Sequence, residues 1–219
     1  MKGLMDMQVR RLAGLRRLLI VPLALATVGA LGLFAPSAFA DDPADPAVAA
    51  ALARINDGTY TQDDIDLIKT DPVLADEVPD PSTNLSATDV LAEDTGPLIT
   101  IDSTSCWYVT VTVRRRSLLG HTLYKWHHYV EWCGTSSGKK VTKWRQRSDY
   151  VSDASSVVYV RELTAESHSS TPIYNVATSF RERHIEYCVA KYGCYTSHYP
   201  HSKIWVYWWG GYTYTASNA

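Results

Sequence analysis

Cys106-Trp107-Tyr108-Val109-Thr110-Val111-Thr112-Val113 and Leu123-Tyr124-Lys125-Trp126-His127-His128-Tyr129-Val130-Glu131-Trp132-Cys133 flank Arg114-Arg115-Arg116-Ser117-Leu118-Leu119-Gly120-His121-Thr122. Both flanks are β-branched and aromatic, and the first alternates in polarity, as strands do. If Cys106 faces Cys133 across a hairpin, the turn centres on Leu119-Gly120. Trp107, Val109, Val111 and Val113 then share a face with Trp132, Val130, His128 and Trp126. The opposite face carries Cys106, Tyr108, Thr110 and Thr112 with Cys133, Glu131, Tyr129 and His127. One face is apolar and the other mixed, as a half-buried antiparallel sheet requires. Gly120 at the third turn position suits a type II turn. A two-residue hairpin prefers a primed turn, so a wider loop is the alternative.

Further strand patterns lie at 141–145, 157–162, 173–177, 185–191, 204–209 and 212–215. Short strands separated by turn signals predict a mainly β domain, a disulfide-linked antiparallel β-sandwich, with a barrel as the alternative. Pairing Cys106 with Cys133 leaves Cys188 and Cys194 to close a small loop. Pairing across the two groups is the other connectivity class. No CxxC pair is present, which argues against a zinc ribbon or finger.

The formal net charge of −2 is a cancellation. Residues 41–98 hold fourteen acids and two bases, whereas residues 99–219 hold eight acids and fourteen bases. Aromatics divide in the same way: all seven Trp lie in the basic part, and Tyr60 is the acidic part's one Tyr. Residues 41–78 read as short helices. Asp45-Pro46 and Asp71-Pro72 are start signals, and Thr61 with Asp64 resembles a capping box. Helices this short are marginal alone and must dock or stay partly disordered. Residues 79–98, with Pro79, Pro81 and Pro97, read as a linker to a basic β-domain at 99–219. Ahead of these, residues 1–40 combine a basic start, an uncharged apolar run at 18–35 and Ala38-Phe39-Ala40. That is the pattern of a secretory signal cleaved after Ala40, with an uncleaved anchor as the alternative.

The most suggestive candidate site is the C-terminal hairpin. With Gly210-Gly211 as a two-residue turn, Trp209 pairs with Tyr212, Tyr207 with Tyr214, and Trp205 with Ala216. Lys203, Trp205, Tyr207, Trp209, Tyr212 and Tyr214 then form one face, and Ile204, Val206 and Trp208 the other. An aromatic platform of this kind can stack sugar rings or exposed bases. Packing inside the core is the ordinary alternative, since one sheet face of a sandwich must be buried. Arg114, Arg116, Lys143, Arg145 and Arg147 form a basic group suited to steering an anionic polymer. Edge protection or pairing with the acidic arm explains them equally.

His198 and His201 are spaced so that a metal with His184 or Glu186 can be imagined, but no diagnostic motif supports one. No metal or cofactor is expected. His128, on the apolar face, reads as a hydrogen-bonded core residue. No GxSxG elbow, P-loop or dinucleotide fingerprint occurs, and the cysteines are better used as disulfides than as nucleophiles.

Glu131-Trp132-Cys133-Gly134, Lys140-Val141-Thr142 and the run from Glu186 through Cys188 and Cys194 to Tyr195 resemble a loose group of secreted proteins from Gram-positive soil bacteria. The stretch 53–69 is similar to the leader-proximal segment of that group. The resemblance implies export and a β-rich domain, and carries no activity or site residue. The resulting expectation is a secreted, non-enzymatic protein, extracellular or cell-wall associated, that binds an envelope polymer, foremost a glycan. The alternatives are a protein-directed effector whose basic surface the acidic arm masks, and a small secreted hydrolase. Nucleic acid is not an expected partner, and no membrane span is expected after signal cleavage.

Overall fold

The computed structural model describes residues 44–83, 90–101 and 104–218. The expected leader at 1–40 lies outside the described residues. Three helices come first: α1 (Pro46–Asn56), α2 (Gln62–Lys69) and α3 (Pro72–Glu77). The strands are β1 (Val90–Ile101), β2 (Thr104–Arg116), β3 (Thr122–Thr135), β4 (Lys140–Ser152), β5 (Val158–His168), β6 (Ile173–Tyr174), β7 (Val176–Val189), β8 (Gly193–His198), β9 (Pro200–Tyr207) and β10 (Tyr212–Asn218). They form two antiparallel sheets, ordered β1-β2-β3-β4-β6 and β10-β9-β7-β5, with β8 on β7. Each sheet keeps free edges, so the fold is a sandwich and not a barrel.

The β2–β3 hairpin has the register expected from its cysteines, from Cys106 opposite Cys133 through Arg115 opposite Tyr124. A register shift at Arg115/Arg116 then widens the turn. Both disulfides form, Cys106–Cys133 and Cys188–Cys194. Val109, Val111, Val130, Trp132 and Val141 of one sheet pack on Ala177, Ile204 and Val206 of the other. Val113, Leu123, Tyr124 and Trp126 meet Ile185 and Tyr187 toward one end. Each large side chain removed from water in this way contributes about 1.5–3 kcal/mol.

Two polar centres lie between the sheets, around His128 and Asp149. His128 is fully buried, its Nδ1 2.6 Å from Ser202 Oγ and its Nε2 3.0 Å from Ser179 Oγ. The Asp149 side chain, 1% exposed, accepts from Arg181 Nη1 at 2.8 Å, Arg183 Nε at 2.7 Å and Trp126 Nε1 at 3.2 Å.

The arm docks. Val48, Ala51, Leu52 and Ile55 recur at helical spacing on α1 and are buried with Ile65, Ile68, Leu74 and Val78 against Leu118 and Val189. Asp45 and Asp71 cap α1 and α3 by accepting from Ala47 N and Val73 N, and Thr61 with Asp64 closes the capping box of α2. Backbone bonds from Leu118 N to the Val78 carbonyl and from Asp80 N to the Arg116 carbonyl tie the arm to the β2–β3 turn.

The stretch 79–98 is not a simple linker. Val90–Ile101 is an edge strand on β2. The unpaired edge of β2 supplies its hydrogen bonds, and Val90 and Ala92 pack on the core. Pro97 falls within the register irregularity between Thr95 and Ile99, and an edge strand tolerates a missing backbone donor.

Candidate functional site

The C-terminal hairpin forms in a different register from the expected one. Tyr212 pairs with Val206, Thr213 with Trp205 and Tyr214 with Ile204. Strand β9 ends at Tyr207, and Trp208 through Gly211 make a four-residue connection, closed by Gly210 N to the Tyr207 carbonyl and Tyr207 N to the Gly211 carbonyl. The slip is three residues, and an odd slip moves a strand's side chains to the other face. Tyr212 and Tyr214 therefore lie on the inner side, partly buried against the core. They leave the expected aromatic face.

Tertiary packing explains the wider turn. The Trp208 backbone lies so close to Gly134 that a Cβ there would meet the Trp208 carbonyl oxygen at 2.1 Å. Gly210, at φ 97°, sits against the Trp107 indole. Trp132 Nε1 donates to the Tyr207 carbonyl at 3.0 Å. A two-residue turn would remove Trp208 from this seat. Gly210→Ala places a methyl about on the Trp107 ring and strains the left-handed backbone. It is expected to cost about 2 kcal/mol, read as a lower chemical-denaturation midpoint.

Four of the six expected residues stay together. Lys203, Trp205 and Tyr207 alternate along β9 with the buried Ser202, Ile204 and Val206, which spaces them about 6.8 Å apart on the solvent face. Lys203 Nζ lies 5.1 Å from the Trp205 ring centre. Trp209, 58% exposed in the turn, stacks on Tyr207 with ring centres 5.8 Å apart. The adjacent strand extends the face in a way the sequence reading missed. Phe180 stands opposite Lys203, and its ring lies 6.0 Å from that of His201. The alternation Val176-Thr178-Phe180 was the available signal, but it becomes legible only once β7 is known to begin at Val176.

The basic group does not form one surface. Lys143 and Arg145 are exposed on β4, with Arg145 Nε 3.0 Å from Glu131. A register shift opposite Glu131/Trp132 reverses the alternation and turns Arg147 toward Arg181 between the sheets. Burial and then the Arg181 charge lower the pKa of the Arg147 guanidinium. Arg114 lies on β2 opposite Lys125, and Arg116 Nη1 donates to the Gly120 carbonyl. Between arm and β-domain, Asp76 Oδ1 lies 2.6 Å from His121 Nδ1 and accepts from Ser117 Oγ at 3.0 Å.

The histidines imagined as metal ligands are engaged separately. His184 Nε2 meets Ser197 Oγ at 3.0 Å, His198 sets its ring edge-on against Tyr187, and His201 Nδ1 meets the Tyr199 carbonyl at 3.1 Å. Among the described residues, the grouping with metal-ligand spacing is Glu186, Cys188 and Cys194, and both sulfurs belong to a disulfide. No helix among the described residues is long and apolar enough to cross a membrane. Comparison with protein-family models, curated proteins and solved structures returns no match to the chain.

Proposed function

We propose that the protein is exported and binds an extracellular or cell-envelope polysaccharide through the solvent face of β9 and its turn. The observation that carries this reading is the row Lys203, Trp205, Tyr207 and Trp209. Rigid rings on a sheet backbone offer a broad apolar contact with polar tips, at little entropic cost on binding. Sugar rings present apolar C–H faces that such rings cover, and Lys203, Thr178 and His201 lie close by to meet hydroxyl or acidic groups. Two disulfides fit an oxidising compartment. The masking alternative has less support, because the arm docks through apolar side chains at the β2–β3 turn while Lys143 and Arg145 stay exposed.

Retention on insoluble cellulose, chitin and purified cell wall tests the site. Trp205→Ala and Trp209→Ala are each expected to weaken retention by about tenfold on the polymer that binds. Tyr212→Phe, on the inner side, is expected to leave it unchanged. Retention unaffected by both tryptophan variants would falsify the assignment.

A further inference from the structure

A cavity of about 280 Å³ lies where the helical arm meets the sandwich, and it shares no residue with the aromatic face. Tyr60, Pro79 and Pro81 give it ring-bearing apolar walls, while Arg115, Ser197 and His198 reach it from the β-domain. Arg115 is 8% exposed. Among the described residues its guanidinium makes one hydrogen bond, from Nη1 to the Thr83 carbonyl at 3.2 Å, and no ion pair. Its Nε is enclosed with no partner, as are His198 Nδ1 and the Tyr195 hydroxyl.

This arrangement contrasts with the site around Asp149, where a buried carboxylate is present. Arg181 and Arg183 are answered by Asp149. A buried cation with no counter-charge is costly, as is each enclosed polar atom with no partner. Burial raises the pKa of the Tyr124, Tyr187 and Tyr195 phenols, so they stay neutral around Arg115 and offer no counter-charge. Burial, then the Arg115 charge, holds His198 down to about 3, so it adds hydrogen-bonding capacity and not a second positive charge. Glu77 lies near enough to act on Tyr195, and burial followed by Asp71 and Asp76 raises its pKa. One cation, with acids of the arm nearby, suits a singly charged anion better than a doubly charged phosphate.

We propose that this cavity binds a small monocarboxylate, its carboxylate on Arg115 and its ring or short apolar body against Tyr60, Pro79 and Pro81. An Arg fork matches carboxylate geometry. The walls fit a compact ring-bearing acid, and Ser197 and His198 supply polar contacts beside it.

The full chain is titrated with benzoate, glucuronate, inorganic phosphate and glucose, following amide chemical shifts of residues 196–198. Saturable binding of benzoate or glucuronate in the millimolar range or tighter is expected, with phosphate at least about tenfold weaker and glucose showing no saturation. Arg115→Met is expected to weaken carboxylate binding at least about tenfold, and Arg115→Lys to weaken it less. Because Arg115 is buried, Asn56→Trp gives a check that spares the core. Asn56 lines the cavity and is exposed at the end of α1, so the indole closes the mouth and is expected to weaken binding comparably. Absence of saturable carboxylate binding overturns the proposal. So does phosphate binding as tightly, or carboxylate affinity unchanged by Asn56→Trp and by whichever Arg115 variant folds.

Discussion

Asp149→Ala is expected to destabilise the protein by about 3–5 kcal/mol, because it leaves buried positive charge without its partner. The carboxylate is 1% exposed and receives Arg181, Arg183 and Trp126. Arg181 keeps a second partner, Glu166, but that carboxylate is 48% exposed and a weak substitute. Arg147 lies alongside, with Nη1 enclosed and no hydrogen-bond partner, so the site already carries an excess of positive charge. Removing this carboxylate leaves Arg147, Arg181 and Arg183 repelling one another. Burial alone would raise the Asp149 pKa. The hydrogen bonds from Arg183, Trp126 and Arg181, with the Arg183 charge, outweigh burial and lower it. The stabilisation is therefore full above the unfolded carboxylate range and is lost as pH falls through the lower folded value. Urea denaturation at neutral pH measures the loss, and Arg183→Met in the Asp149→Ala background is expected to restore part of it. A loss below about 1 kcal/mol would show that water reaches the arginines freely.

The same stretch of β4 marks how far the sequence could be read. The β2–β3 register was legible because Cys106 and Cys133 pin it and the alternation sorts every residue consistently. The helix starts at Asp45, Thr61 and Asp71 were legible because capping is local chemistry. Arg147 was misread because its direction depends on a bulge in the β3–β4 pairing, and no residue type announces that bulge. The C-terminal hairpin failed for a different reason. Gly210-Gly211 satisfies a local turn rule, but Trp208 is seated by Gly134 and Gly210 by Trp107, contacts more than seventy residues apart. Lys203, Trp205 and Tyr207 kept a common face because alternation within β9 is independent of its partner's register, and Trp209 joins them by stacking on Tyr207. Tyr212 and Tyr214 were lost because their placement depended wholly on it. Strand β1 was hidden by Pro97 and by acids that suit an edge. The Arg115 cavity was invisible because it exists only where the arm closes on the β-domain.

Stability is expected to fall steeply between pH 6.5 and pH 5, before carboxylates titrate appreciably. Burial holds His128 down to about 3, with the Arg181 charge lowering it further, Asp149 raising it and Arg147 lowering it. His198 is likewise held to about 3. Burial and then Lys125 shift His127 in the same direction, against opposing contributions from Asp153 and Glu93. In the unfolded chain each histidine takes up a proton near pH 6.5, whereas the folded chain keeps His128 and His198 neutral. Protons therefore favour the unfolded state. The stability these groups confer is full above pH 6.5 and is lost as pH falls toward about 3. Each fully shifted histidine gives a slope of up to about 1.4 kcal/mol per pH unit, so His128 and His198 together give about 2–3. Denaturation midpoints at pH 7.5, 6.5, 5.5 and 5.0 measure the slope directly. His128→Gln retains an amide that can meet Ser179 and Ser202 but does not titrate. It is expected to lower stability at pH 7.5 and to make the slope about half as steep. A midpoint flat from pH 6.5 to 5 would mean that His128 gains its proton in the folded state as readily as in the unfolded one. The neutral imidazole between the two serine hydroxyls would then not be the form that the core selects. The two largest effects are also coupled through space, since Asp149 raises the pKa of His128. In Asp149→Ala the imidazole meets Arg147 and Arg181 without that counter-charge, so its folded pKa drops further and the acid-labile window widens at its lower end.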